Sequence, residues 1–247
     1  MNHITTFSQR SELLIQAGAD AVVQIKPTLE LLGLQPEVFI AQITKTHAPD
    51  YIVEGNGFRF GNQRKGTIQT LRLLEKQHNF ECIEVRGVEI TLEDCSVVKA
   101  SSSMVRSLIN EGRMQGAMQM LGREYELCGI VTKGDCRGRE LGVPTANLGN
   151  VQTMLPRDGI YAGRAMIDGI SYIAAVSVGT KPTFGTHPRV CEAHLIGFDG
   201  EIGQYDWSLT VTISHWIREQ MKFDSKETLT IAIEQDIQSA IELIEST

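Results

Sequence analysis

Residues 129–148 read GIVTKGDCRGRELGVPTANL, and this stretch decides how the second half of the chain is interpreted. Glycines let backbone N–H groups approach an anion closely, and basic side chains pair with phosphate oxygens. The glycines are Gly134, Gly138 and Gly142, and the basic residues are Lys133, Arg137 and Arg139. The pattern predicts a loop that holds a nucleotide phosphate, although a glycine-rich hairpin loop with solvated charges has the same composition. No Walker A sequence is present.

Two side chains that carry oxygen atoms end this stretch. Thr145 and Asn147 are two residues apart, so both point to the same side of an extended segment. Their neutral oxygens suit a hard cation such as Mg²⁺, which would position a nucleotide phosphate.

The residues after Cys128 predict a small antiparallel β-barrel. Short β-rich runs alternate with Gly, Pro and Asp turns, and they include IYAGRAMI, YIAAVSV, VCEAHLI and WSLTVTISHWI. A helix is expected from about Ser225, with Asp224 and Glu227 as its cap and isoleucines at helical spacing. This helix is expected to pack across the barrel.

The residues before Cys128 alternate helix and strand signals at the spacing of a parallel α/β sheet. Thr6 and Gln9 predict a capping box for a first helix, and Pro36 predicts the start of another. The runs AVVQI at residues 21–25 and YIV at residues 51–53 each predict a strand, the first of them buried.

Composition narrows the class of function. Thirty acidic and 23 basic residues give a formal net charge of −7, which argues against binding to nucleic acid. No apolar run approaches the ~20 residues that span a bilayer, and the N-terminal residues lack a signal-peptide profile. A cytoplasmic protein that binds no membrane is therefore expected. The five cysteines include no C-x-x-C pair and are expected to stay reduced. The sequence leaves the oligomeric state open.

Glu192 is a candidate catalytic residue. In the strand VCEAHLI, alternation places Glu192 and His194 on one side, so the carboxylate can point into a site. A polar strand face in water explains the same pattern without a function. Phosphoryl transfer needs a metal, a phosphate cradle and a carboxylate that accepts the proton of the attacking hydroxyl. This half of the chain offers candidate ligands for the metal, a candidate loop and a candidate carboxylate. His194 is interpreted as structural.

The same half of the chain resembles riboflavin kinases, including the kinase module of bifunctional bacterial FAD synthetases. Residues 129–148 resemble the family signature G-x-V-x-x-G…G-R-x-L-G-x-P-T-A-N. The resemblance continues in order to the end of the chain through DGIYAG, VGTKPTF, EAHLI, QYD and IREQMKFDS. It departs at Asp206, where the family usually has glycine, and at Gln220.

This resemblance implies roles for individual residues. Thr145 and Asn147 would be the Mg²⁺ ligands, Glu192 would be the catalytic base, and Arg218 would lie beside the flavin. The residues that would contact ATP are Lys133, Gly134, Gly138, Arg139 and Pro144. ATP is then the co-substrate, riboflavin the substrate and FMN the product.

Two segments of the first half resemble FMN adenylyltransferase modules. VEGNGFRFGNQRKG at residues 53–66 resembles their V-G-x-D-F-R-F-G-x-x-x-x-G loop, and SSSMVRS at residues 101–107 resembles their I-S-S-T-x-I-R region. The residues that match are Phe58, Phe60, Gly61, Ser102, Ser103 and Arg106. A run of serines before a helix is also a common helix cap.

The early F-D-G-x-H-x-G-H segment of those modules has no counterpart here. None of the six histidines has H-x-G-H spacing, and Gly57 stands where the loop usually has aspartate. The first half is therefore interpreted as a truncated module that does not make FAD.

The sequence predicts two domains. Residues 1–126 would form an incomplete nucleotidylyltransferase-like, Rossmann-like parallel sheet, and residues 127–247 a riboflavin kinase barrel with a C-terminal helix. The predicted activity is transfer of the γ-phosphate of ATP to the 5'-hydroxyl of riboflavin. The alternatives are a complete bifunctional enzyme whose start lies upstream, and a flavin-nucleotide binding protein without catalysis.

Overall fold

The computed structural model describes residues 3–134, 138, 142–180, 189–199 and 205–246. The chain divides into two compact units. We call Gly18–Glu89 the α/β unit, and Met1–Ala17 together with Ile90–Thr247 the barrel unit. The predicted domain boundary between residues 126 and 127 stays a prediction, because compactness groups part of the first half with the barrel.

Most helices of the described residues lie in the first half of the chain, where the first three follow one another without an intervening strand. The helices are α1 (Phe7–Gln16), α2 (Leu29–Gly33), α3 (Pro36–His47), α4 (Ile68–His78), α5 (Ser102–Glu111), α6 (Met114–Leu121) and α7 (Lys226–Glu245), with a 3-10 helix at Asn62–Arg64. None of these helices is both long and apolar enough to cross a bilayer.

The strands are short in the first half of the chain, and most of those in the second half are longer. They are β1 (Tyr51–Gly55), β2 (Glu81–Val85), β3 (Glu89–Thr91), β4 (Val97–Lys99), β5 (Tyr125–Thr132), β6 (Ala146–Gly149), β7 (Gly159–Ile167), β8 (Ile170–Gly179), β9 (Val190–Leu195) and β10 (Ser208–Arg218).

The α/β unit contains the parallel pairing that the sequence predicts. β1 and β2 pair in parallel, with Tyr51 opposite Glu81. Pro36 occupies the first turn of α3, where its missing N–H costs no hydrogen bond. The helices and the sheet enclose a core that consists of Ile40, Phe60, Ile68, Leu71, Leu74, Phe80 and Cys82.

The strand predicted at residues 21–25 is wrong. These residues have no regular secondary structure, and Val23 and Ile25 are 66% and 48% exposed. A run of β-branched residues favours a strand only where a neighbouring strand and a packing surface are present. Local propensity therefore gave the wrong answer where tertiary context was missing.

The barrel unit confirms the predicted antiparallel barrel. Six described strands close in the order β10-β5-β6-β9-β8-β7. Among the side chains buried in this unit are Leu127, Val131, Leu148, Val176, Cys191 and Val211. The predicted capping box starts α1, and Gln9 on α1 donates to Glu126 on β5 at 2.8 Å. Helix α1 is thereby tied to the barrel.

The C-terminal helix α7 packs against the outside of the barrel. Ala240 and Ile244 are buried with Ala162 of β7, and Ile173 and Ala175 of β8 border this cluster. The predicted cap of α7 is wrong by one residue, because the N-cap is Ser225, whose hydroxyl accepts from the backbone N–H of Thr228 at 3.2 Å. A serine hydroxyl reaches this N–H readily, which is why serine is a preferred N-cap.

Asp206 lies in the left-handed region of backbone space, with a φ of 67°. Its backbone N–H donates to Val131, and the N–H of Val131 donates to Trp207, at 2.9 and 2.8 Å. These bonds join the start of β10 to β5. Aspartate tolerates this conformation better than most residues, while glycine adopts it without strain. The left-handed backbone at this position therefore explains why the resembling family usually has glycine here and why aspartate can replace it.

We expect the free energy of unfolding of Asp206→Gly to lie within about 0.5 kcal/mol of the value for the parent chain. That of Asp206→Val should be lower by about 1–2 kcal/mol, because a β-branched side chain is strained at positive φ. Both tryptophans, Trp207 and Trp216, belong to the barrel unit, so urea unfolding followed by their fluorescence measures its stability. Asp199→Val, at an exposed aspartate with ordinary φ, is the matched control. Equal losses in the two valine variants would contradict the assignment of strain to residue 206.

Candidate active site

One row of side chains runs around the outside of the barrel and contains several predicted site residues. Residues that are directly opposite in paired strands point to the same face of the sheet. Asn147 of β6 is opposite Glu192 of β9, and Glu192 is opposite Ser177 of β8. The register extends the row at both ends, so that it comprises Thr132, Asn147, Glu192, Ser177, Ile160 and Arg218. We call these six residues the outer row.

The neighbouring rows show which way the outer row faces. On each of four strands, a residue adjacent in sequence to a member of the outer row belongs to the core and is at most 6% exposed. These residues are Val131 on β5, Leu148 on β6, Cys191 on β9 and Val178 on β8. Every member of the outer row is half-buried. Since successive side chains of a strand alternate between faces, the outer row points away from the barrel interior.

Gly134 lies directly against the side chain of Asn147. A Cβ added at Gly134 would lie 2.5 Å from the carboxamide carbon and oxygen of Asn147, so no side chain fits without displacing the amide. The backbone that follows β5 therefore approaches the outer row closely at Asn147. Lys133 beside it is exposed.

Thr145 and its neighbours are held by two backbone contacts. A Cβ added at Gly138 would lie 3.3 Å from the Thr145 hydroxyl, and the carbonyl of Gly138 accepts from the N–H of Val143 at 2.8 Å. The Nδ1 atom of His194 lies 2.8 Å from the carbonyl oxygen of Pro144. Because a carbonyl only accepts, this nitrogen carries the proton. His194 thus anchors the segment that enters β6. The predicted contacts Arg137 and Arg139 lie outside the described residues.

Glu192 is bordered by a buried thiol and by two polar neighbours. Burial raises the pKa of Cys191 to about 12, so this thiol stays protonated and belongs to the core. On the outer face, Glu192 stands between Asn147 and Ser177. The structure therefore brings the predicted base and one predicted metal ligand together.

Arg218 is held by a carboxylate that the sequence did not single out. Its Nε and Nη2 atoms donate to the two oxygens of Asp236 on α7 at 2.7 and 2.6 Å, and its guanidinium lies 5.7 Å from the centre of the Phe223 ring. Burial raises the pKa of Asp236, while the hydrogen bonds from Arg218 oppose this rise. The pair fixes the guanidinium at the end of the outer row and joins β10 to α7.

Ser177 and Gln220 are site neighbours that sequence reasoning missed. The Nε2 atom of Gln220 donates to the hydroxyl of Ser177 at 3.3 Å. Alternation in the run YIAAVSV places Ser177 on one strand face, but only the register shows that Glu192 is its neighbour.

The predicted adenylyltransferase residues of the α/β unit are packing residues in part. The Phe58 and Phe60 rings stack with centroids 5.3 Å apart, and Phe60 is buried in the core of this unit. Gly61 has a φ of 69°, and a Cβ added there would lie 2.9 Å from Pro36. The close approach of Pro36 therefore demands glycine at this position.

The serine segment belongs to the barrel unit. Ser101 is the N-cap of α5 and accepts from the N–H of Met104, so the cap that the sequence suggested is present. Ser102 and Ser103 are exposed, and Arg106 donates to the carbonyl of Ser102 at 3.1 Å. The two groups of predicted adenylyltransferase residues thus lie in different compact units.

Among the described residues, no three His, Cys, Asp or Glu side chains are grouped so that they could hold a metal ion. A cation near the outer row would depend on neutral oxygens, such as those of Thr145 and Asn147, and on the phosphates of a bound nucleotide. This donor set fits Mg²⁺, which keeps few protein ligands and favours phosphate oxygens.

Two family models and several curated relatives match this chain. A family model described as riboflavin kinase matches residues 121–244, and one described as FAD synthetase matches residues 1–99. A bifunctional riboflavin kinase/FMN adenylyltransferase of Bacillus subtilis (strain 168) is 32% identical over 96% of this chain and 74% of its own length. The equivalent protein of Buchnera aphidicola subsp. Schizaphis graminum is 28% identical over 95% of this chain and 75% of its own.

A solved structure supports the fold. It is described as a macrolide-efflux protein from Streptococcus pneumoniae, with a TM-score of 0.81 and 29% identity over 97% of this chain and 75% of that one. The riboflavin kinase match covers half of the chain, and the Bacillus relative exceeds 30% identity over most of both chains. The chain therefore belongs to the riboflavin kinase family, with a first segment that matches the FAD synthetase module.

Proposed function

We propose that residues 127–247 transfer the γ-phosphate of ATP to the 5'-hydroxyl of riboflavin, with Glu192 as the catalytic base. The observation that carries this proposal is the direct opposition of Asn147 and Glu192 on the outer row, with Gly134 packed against the Asn147 amide. A nucleotide phosphate beside Asn147 would lie next to a hydroxyl beside Glu192. Phosphoryl transfer depends mainly on such alignment.

The ATP phosphates are assigned to the backbone between β5 and β6. The close approach of Gly134 to Asn147 and of Gly138 to Thr145 supports this assignment, because a glycine backbone can be reached by an anion. Pro144 shapes the entry to β6, and its carbonyl is held by His194. Lys133 and Arg139 would supply positive charge to the phosphate oxygens.

Thr145 and Asn147 would hold Mg²⁺ through their side-chain oxygens. The bound cation would neutralise charge on the phosphates. The residues of this chain then have separate tasks: the loop orients the nucleotide, and the outer row orients the acceptor.

Glu192 would accept the proton of the riboflavin 5'-hydroxyl while the oxygen of that hydroxyl bonds to the γ-phosphorus. The bond from that phosphorus to the bridging oxygen of ADP breaks, and FMN and ADP are released. Arg218 would lie beside the flavin, and its two hydrogen bonds to Asp236 would hold it in one orientation.

The purified chain should form FMN from riboflavin, ATP and Mg²⁺, and Glu192→Gln should lower turnover by about 10²–10⁴-fold, the usual loss for a positioned general base. Resolving FMN from riboflavin by chromatography measures both rates. Glu234→Gln, at an exposed site on α7, is the matched control. Absence of FMN with the parent chain would refute the activity. Full turnover in Glu192→Gln would refute the assignment of the base alone.

Thr145→Ala and Asn147→Ala should each raise the Mg²⁺ concentration for half-maximal FMN formation by about tenfold, because each removes an oxygen near the ion. Gly134→Ala should act in the same direction, because the added methyl displaces the Asn147 amide. Asn110→Ala on the exposed face of α5, and Gly57→Ala, where an added Cβ meets no atom within 4 Å, are controls. An unchanged Mg²⁺ requirement in both oxygen variants would remove them as ligands.

Given FMN and ATP, this 247-residue chain should form no FAD. Adenylyl transfer needs charge stabilisation on the α-phosphate and on the departing pyrophosphate, and no histidine pair with H-x-G-H spacing supplies it here. Losing one preorganised donor typically costs about 3–4 kcal/mol of barrier, so loss of the whole segment should abolish detectable turnover. FAD produced by the purified chain would show that other residues do this work.

A further inference from the structure

We propose that His194 is a positioning residue for the Mg²⁺ nucleotide: its ring holds the backbone carbonyl of Pro144 and thereby sets the direction of the Thr145 hydroxyl. This inference rests on the proposed function, in which Thr145 is a ligand of Mg²⁺. His194 itself needs no contact with the ion or with a substrate.

One hydrogen bond carries the proposal. The Nδ1 atom of His194 lies 2.8 Å from the carbonyl oxygen of Pro144, and the carbonyl accepts, so the Nδ1–H group donates. Proline has no backbone N–H, which leaves its carbonyl as the one backbone group of residue 144 that can form a hydrogen bond. The histidine ring therefore takes the whole backbone hydrogen-bonding capacity of Pro144.

The held carbonyl belongs to the same peptide unit as the N–H and Cα of Thr145. A peptide unit is planar, so fixing the direction of the Pro144 carbonyl fixes the plane from which the Thr145 side chain projects. The χ1 angle of a β-branched side chain then has few choices. The hydroxyl points toward the backbone of Gly138, where an added Cβ would lie 3.3 Å away. Its direction thus depends on the histidine ring.

Strand pairing begins after the residues that need this support. The register of β6 with β9 starts with Ala146 opposite Ala193, so Pro144 and Thr145 precede the paired segment. On the other side of β9, His194 is opposite Ala175 of β8, which borders the apolar cluster under α7. The methyl group of Ala175 offers the ring no hydrogen bond. The ring bonds instead toward the segment that enters β6.

Strand β9 therefore supports both sides of the proposed reaction. Glu192 and His194 are two residues apart and project from the same face, about 6.6 Å apart along the strand. Glu192 is the assigned base, and His194 anchors the segment of the assigned metal ligand. A site whose parts are fixed to one rigid strand keeps their spacing closely.

Binding of ADP to the full chain, measured by isothermal titration calorimetry, tests the proposal without turnover. Each variant is titrated once with saturating Mg²⁺ and once with EDTA. His194→Leu keeps an apolar side chain but removes the donor. It should raise the Kd for ADP about 3–10-fold with Mg²⁺, the range for one neutral hydrogen bond. With EDTA the change should stay below about twofold, because the Thr145 oxygen acts through the ion.

Two further variants separate the hydrogen bond from packing. His194→Asn should stay within about twofold of the parent, because its amide nitrogen, like the Nδ1 of histidine, is bonded to Cγ and can donate. His47→Leu, at an exposed histidine at the end of α3, is the matched control and should leave the Kd unchanged. In the Thr145→Ala background, His194→Leu should cause no further loss.

An unchanged Kd in His194→Leu, equal losses with Mg²⁺ and with EDTA, no recovery in His194→Asn, or additive losses with Thr145→Ala would each overturn the proposal. Thr145→Ala with unaltered binding in Mg²⁺ would instead overturn the ligand assignment on which it rests. Absence of FMN with the parent chain would refute the proposed function, so these failures are distinguishable. Unaltered tryptophan fluorescence confirms that each variant is folded.

Discussion

β6 pairs with β9 so that Asn147 stands directly opposite Glu192, and the candidate active site depends on this pairing. A slip of one residue would turn both side chains into the barrel interior and bring Leu148 and Cys191 to the surface. The buried rows on either side of the outer row oppose such a slip, because they form the core. The hydrophobic pattern of the strands thus fixes the distance between the groups assigned to the nucleotide and to the proton.

The supports of the outer row come from distant parts of the sequence. Asp236 on α7 fixes Arg218, His194 holds the segment that enters β6, and Gln220 contacts Ser177. Each support is a hydrogen bond to a group on a rigid strand or beside one. Sites built on strands hold their geometry more closely than sites built on loops alone. The backbone that we assign to the phosphates, where close approach matters, belongs instead to a glycine-rich segment of the sequence.

Much of this architecture could be predicted from the sequence, and the remainder depended on tertiary context. The barrel, α7, the capping box at Thr6 and the shared strand face of Glu192 and His194 followed from periodicity and turn residues. The strand at residues 21–25 did not form, because composition alone does not supply a neighbouring strand. Ser177, Gln220 and Asp236 could not be identified, since alternation gives the face of a side chain but not its neighbour across the sheet.

The most direct measurement is a crystal structure of the chain with ADP, Mg²⁺ and riboflavin. We predict that the riboflavin 5'-hydroxyl lies about 2.6–3.2 Å from the Glu192 carboxylate, the distance required of a general base. We also expect the ADP phosphates beside Gly134 and Asn147 on the outer face of the barrel. A flavin or a diphosphate bound away from the outer row would contradict it.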